Sequence, residues 1–210
     1  MKGKLLITLL CYLIYTFPIF SQTNKDRKGQ IELMLSIPYV NNFYSHPDGE
    51  SVKIGTGFWG VSGGVGYQYG SNRFVSLLGS LQIQYDIPVL MGIDYEDGIY
   101  EDQYSKNISL MDNYQINKWI FGYGLSYSWN SWRIRYFGED YIPPYQVPYS
   151  VSNQSLGTNL YPYFNLFRHL YVGLVYRPQF LTVDPATKFQ YSHSISLDFS
   201  WRWRINTMKK

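Results

Sequence analysis

The 210-residue chain gives 19% of its positions to aromatic rings, 22 of them tyrosines, and only 16% to charged side chains, with a formal net charge of +3. An average soluble domain is about 25% charged. This composition excludes a disordered chain, a coiled coil and a disulfide-stapled miniprotein, and so small a net charge makes no electrostatic case for nucleic acid.

Residues 1–4 hold two lysines, and 5–20 form a nearly unbroken apolar run that stops at Ser21 and Gln22. A basic start, a short apolar core and a small residue before a polar stretch read as a secretory signal peptide. The run is short of the roughly 20 residues a spanning helix needs. The expected organisation is a cleaved signal over 1–21 and one domain over 22–210. Cys11, the only cysteine, falls inside the signal, which leaves no thiol for disulfides, zinc-thiolate sites or nucleophilic catalysis in the rest.

From residue 30 onward apolar and polar residues alternate with a period of two, the signature of β-strands with unlike faces. The first strand puts Ile31, Leu33, Leu35, Ile37 and Tyr39 on one face, and the second Trp59, Val61, Val65, Tyr67 and Tyr69. The third carries Val75, Leu77, Leu81, Ile83 and Tyr85. The fourth carries the odd positions from Trp119 to Trp129, and the fifth Trp132, Ile134 and Tyr136, with Arg133 and Arg135 opposite. Leu156, Leu160 and Phe164 mark the sixth, Leu170, Val172, Leu174, Tyr176 and Phe180 the seventh. The eighth alternates without a break over 190–204. Long connections (45–55, 88–116, 140–151, 183–188) take turns with tight ones at Ser71-Asn72, Asn130-Ser131 and Phe167-Arg168. That rhythm predicts an all-β, eight-stranded antiparallel up-and-down barrel with tight turns at one end. Pro38, Pro162 and Pro178 fall inside strands, where each removes a ladder hydrogen bond, so bulges or early strand ends are expected there.

The polar faces are crowded with Gly, Ser, Asn and Gln, which suit a narrow interior, while the apolar faces carry bulky rings that need room. This predicts polar side chains in the lumen and apolar ones against lipid, the reverse of a soluble lipocalin-like barrel. Inward charges must pair. Glu32 is expected near Arg202 and Arg204 where the first and eighth strands meet, and Asp86 near Lys118 at the outer end. Arg133, Arg135, Arg177 and Asp198 complete the interior set. Of the apolar-face residues only Arg73 is charged. Rings gather at strand ends as two girdles, Trp129, Trp132, Trp201 and Trp203 at the inner rim and Trp59, Tyr85 and Trp119 at the outer.

With its signal ending Phe20-Ser21-Gln22, its eight strands and its ring-rich last strand over 194–204 (Ser-Ile-Ser-Leu-Asp-Phe-Ser-Trp-Arg-Trp-Arg), the chain resembles the small eight-stranded outer-membrane barrels of the OmpA/OmpX type. The resemblance implies residence in the cell outer membrane of a Gram-negative envelope and insertion by the barrel assembly machinery. It also implies contact with outer-membrane lipid and lipopolysaccharide. Family duties run from envelope integrity to adhesion, and none is singled out.

An eight-stranded barrel is just wide enough for its own side chains to fill it, so no open pore is expected, nor a cofactor or metal, and the barrel reads as a monomer. The leading function is a non-enzymatic structural or surface-interaction role. The alternatives are a lipid A acyl hydrolase or transferase and a ligand-binding adhesin. The enzyme reading is poorly served by His46, His169 and His193: His169 follows an inner turn and His193 faces lipid while Ser192 and Ser194 face the lumen. A surface partner would meet the acidic, tyrosine-bearing loop with Tyr95, Tyr100 and Tyr104.

Overall fold

A computed structural model describes residues 28–89, 98–137 and 149–205. The signal segment expected over 1–21 lies outside them, as does Tyr95. Eight antiparallel strands close into a barrel in chain order: β1 (Ile31–Ser45), β2 (Lys53–Gln68), β3 (Arg73–Tyr85), β4 (Gly98–Ile116), β5 (Trp119–Phe137), β6 (Tyr149–Asn165), β7 (Leu170–Asp184) and β8 (Lys188–Ile205). The seam pairs Glu32 with Arg204 and Met34 with Arg202.

The polarity is inverted. Ser126, Ser128, Ser196 and Asn113 are buried in the lumen, while Leu77, Leu110 and Leu174 stand more than half exposed outside and Leu125 is 70% exposed. Water would oppose such a belt, which far exceeds the patch a soluble monomer tolerates; hydrocarbon accommodates it. The large lumen side chains Phe74, Met111, Ile120, Tyr161, Tyr163 and Tyr171 pack as a plug in the half nearer the short turns.

Two strands differ from the sequence expectation. The stretch 88–116, expected to be a long connection, contains β4, whose Ile108, Leu110 and Tyr114 pair with β3 and β5 along the barrel wall. Asn130-Ser131, expected to be a turn, is the middle of β5, paired in unbroken register with β4 and β6. The actual turn is Asn117-Lys118, where Asn117 has φ of 52°, a left-handed geometry that asparagine tolerates better than most residues. The strand count is eight because one strand was missed and another divided.

Prolines mark irregularities unequally. The register shifts between Pro38 and Val40 on β1. On β7 it shifts between Gln179 and Leu181, just past Pro178. Pro162 keeps continuous register with β5. A further shift on β2 lies between Phe58 and Gly60, where Trp59 has φ of 74°.

Candidate functional site

The lower lumen is organised by Arg202, which is buried. Its Nη1 lies 3.9 Å from Glu32 Oε2, and Arg204 Nε lies 3.5 Å from Glu32 Oε1. The centroids of Tyr163, Tyr171 and Phe74 stand 4.8, 5.1 and 5.9 Å from the Arg202 guanidinium carbon, within cation–π range. Above it, Arg177 donates to Ser196 Oγ at 3.2 Å, and Asp198 accepts from the Tyr163 hydroxyl.

The upper lumen is neutral. Gln82 on β3 is fully buried and reaches β1 through Asn41, β4 through Asn107 and β8 through Ser194 and Ser196. Higher still, Asn130 donates to Asn153 and Gln179, and Ser45 donates to Gln103. These amides and hydroxyls satisfy one another, as buried polar groups must. Across the mouth, Lys53 sits 4.3 Å from the Trp132 ring and 3.1 Å from Glu101 Oε1, while Trp132 Nε1 donates to Glu101 Oε2 at 3.0 Å.

Continuity of β5 reverses the expected faces of its outer end. Trp132, expected outside, is inward and 2% exposed. Arg133 and Arg135, expected inside, point outward beside Asp102, at 3.8 Å and 2.5 Å. The direction of β5 is also reversed, so Trp119 stands beside the short inner turn and Trp129 on the outer half. Lys118 occupies that inner turn and Asp86 follows β3 at the opposite end, so they form no pair; the Lys118 ammonium lies 6.0 Å from the Phe164 ring. Trp59 meets Tyr39 edge-on at the β2 bulge, Tyr85 ends β3, and Trp201 and Trp203 stand outward near the inner end of β8. Tyr100 and Tyr104 belong to β4.

Besides Asp102, β4 adds two more outward charges to Arg73, Asp112 and Lys106. Asp112 accepts from Tyr69 and Tyr123 at 2.7 and 3.0 Å, beside the turn where Arg73 lies over Tyr114. Lys106 stands on the outer half between Leu81 and Trp129. His193 stacks on Tyr44 outside the barrel, whereas Ser192 and Ser194 donate inward to Gln179 and Gln82. Nucleophilic catalysis needs base and hydroxyl in contact, and these neighbours on β8 face opposite sides of the wall.

No protein-family model matches the chain, and no curated protein matches it in sequence. Solved structures do. Ail, the attachment invasion locus protein of Yersinia pestis, is similar with a TM-score of 0.52 at 13% identity, covering 84% of this chain and 99% of Ail. Ail in complex with the heparin analogue sucrose octasulfate gives 0.51 at 12%, with the same coverage. The chain has the fold of the small outer-membrane β-barrels. Neisserial surface protein A also matches, with a TM-score of 0.46 at 11% identity over 82% of this chain and 95% of its own. At these identities the likeness is one of architecture. The outward apolar belt independently demands a bilayer, and closed barrels of this kind are outer-membrane structures.

Proposed function

We propose that this outer-membrane barrel is a closed, monomeric anchor that presents a β-sheet fin to the cell's surroundings. The observation that supports it is where pairing stops. β3 pairs with β4 only up to Ile83 and Tyr104, and β7 with β6 only up to Asp184 and Gln154. β4, β5 and β6 continue past those points, paired to each other as far as Gly98 with Phe137 and Ile134 with Tyr149. Beyond those points the β4 edge over 98–103 has no ladder pairing with β3, and the β6 edge over 149–153 has none with β7. The β4 edge is guarded by Glu101 and Asp102, a common defence against unwanted pairing. The β6 edge, Tyr-Ser-Val-Ser-Asn, carries no charge and suits addition of a partner strand.

The test is complementation of a deletion strain with the full chain or with a barrel trimmed above Tyr104, Ser131 and Asn153. Adherence to host-type surfaces should return only with the full chain, while resistance to detergents should return with either. Equal adherence by the trimmed barrel would leave the fin without a role and favour a purely structural duty.

A further inference from the structure

On the outward wall between β3, β4 and β5 the apolar belt is cut by a groove of about 590 Å³. Gly79 forms its floor, Leu81, Ile108 and Trp129 its sides, and Lys106 and Tyr104 its upper part. Gly79 pairs in register with Gly63 on β2, and both are exposed. A Cβ at Gly79 would meet nothing nearer than the Gly63 carbonyl oxygen at 4.0 Å, and one at Gly63 only the Met34 carbonyl oxygen at 3.8 Å. Glycines such as Gly57, Gly124 and Gly157 are different, because a Cβ there would strike the backbone of the neighbouring strand. Protein packing therefore explains those glycines and leaves the outward pair unexplained. Their neighbours Leu35, Val61, Val65, Leu77 and Leu81 are all bulky, so the notch is open for something that is not protein.

Lys106 supplies the second observation. Among the described residues no carboxylate lies within ion-pair distance of it, and its cross-strand neighbours are Leu81 and Trp129. It stands eight residues above Tyr114 on β4, roughly 20 Å higher at about 3.3 Å per residue and a 40° tilt. That places the ammonium at the outer boundary of the belt, where a lipid-facing lysine is tolerable and an anionic headgroup lies within reach. Ser131 and Ser152 line the groove with it and add hydroxyls suited to a sugar headgroup.

We propose that this groove seats one lipopolysaccharide molecule, with an acyl chain laid over Gly79 and Gly63 and a phosphate of the glucosamine backbone on Lys106. The proposal rests on the outer-membrane reading and names the lipid that meets this wall. It is tested by native mass spectrometry of the detergent-extracted protein. The probes are added lipid A, lipid A stripped of its phosphates, and phosphatidylglycerol; heat-modifiable gel migration of each variant reports separately whether the barrel is folded. The wild type should retain one lipid A. Lys106→Gln should weaken retention about fivefold, the size of one lysine's attraction to an anionic surface. Gly79→Phe, and independently Ile108→Trp, should weaken it about tenfold as roughly two methylenes lose their seat, with migration unchanged. Equal retention of dephosphorylated lipid A or of phosphatidylglycerol would overturn the assignment, as would filled-groove variants that hold lipid A like the wild type. A wild-type chain that shows no heat-modifiable migration would instead sink the outer-membrane reading itself.

Discussion

Glu32 serves two arginines at once, and the two are not equivalent. Arg202 and Glu32 are both buried, whereas the Arg204 side chain is 20% exposed and reaches the open inner end. Removing one partner of a buried pair leaves an uncompensated charge and costs about 3–5 kcal/mol, while a partly wet pair contributes about 1 kcal/mol or less. The rings around Arg202 soften its burial but carry no formal charge. Glu32→Gln should therefore lower the urea midpoint of the refolded barrel in detergent micelles far more than Arg204→Gln. Equal shifts in the two variants would mean that the Arg202 pair contributes little and that the aromatic cage alone holds the guanidinium.

At the scale of the element, the clean alternation of β8 made its faces readable, and with them the meeting of Glu32 with the C-terminal arginines. The aromatic cage was not readable, because Phe74, Tyr163 and Tyr171 arrive from β3, β6 and β7, and only closure brings them together. β4 hid for a different reason. Its outward positions include Asp102, Lys106 and Asp112, so the contrast between its faces is diluted where the other strands show rings. Its turn, Asn117-Lys118, lacks glycine and proline, while Asn130-Ser131 has turn composition but continues a strand whose period runs unbroken from Trp119. Following that period would have placed Trp132 inside and Arg133 outside. The corrected strand order makes a topological prediction. Cys11 is the only cysteine of the sequence, so in a Cys11→Ser background a cysteine introduced at Ser150 or Ser71 is addressable alone. On intact cells a membrane-impermeant maleimide should label Ser150→Cys on the fin and leave Ser71→Cys, at the β2–β3 turn, untouched until the envelope is opened. The opposite pattern would invert the barrel in its membrane and remove the basis for a surface fin.

Across the whole molecule the lumen is closed by two seals of different chemistry stacked along the axis. The lower one is steric and apolar: Tyr161 and Tyr163 meet at 4.8 Å, nearly edge to face, against Phe74, Met111 and Ile120. The upper one is a hydrogen-bonded layer in which Gln82 links β3 to β1, β4 and β8. An eight-stranded wall leaves no room beside such a layer, and an ion crossing it would have to replace several mutually satisfied hydrogen bonds. Wild-type protein in a planar bilayer should therefore give no stable conductance steps. Tyr161→Ala combined with Tyr163→Ala should remain silent, because the amide layer still blocks the axis even with the rings gone. Adding Gln82→Ala to that pair removes the link between four strands and should let small steps appear, provided heat-modifiable migration shows the barrel intact. Steps already present in the wild type would mean that the lumen breathes enough to conduct, and steps in the double variant would mean that the rings alone hold it shut.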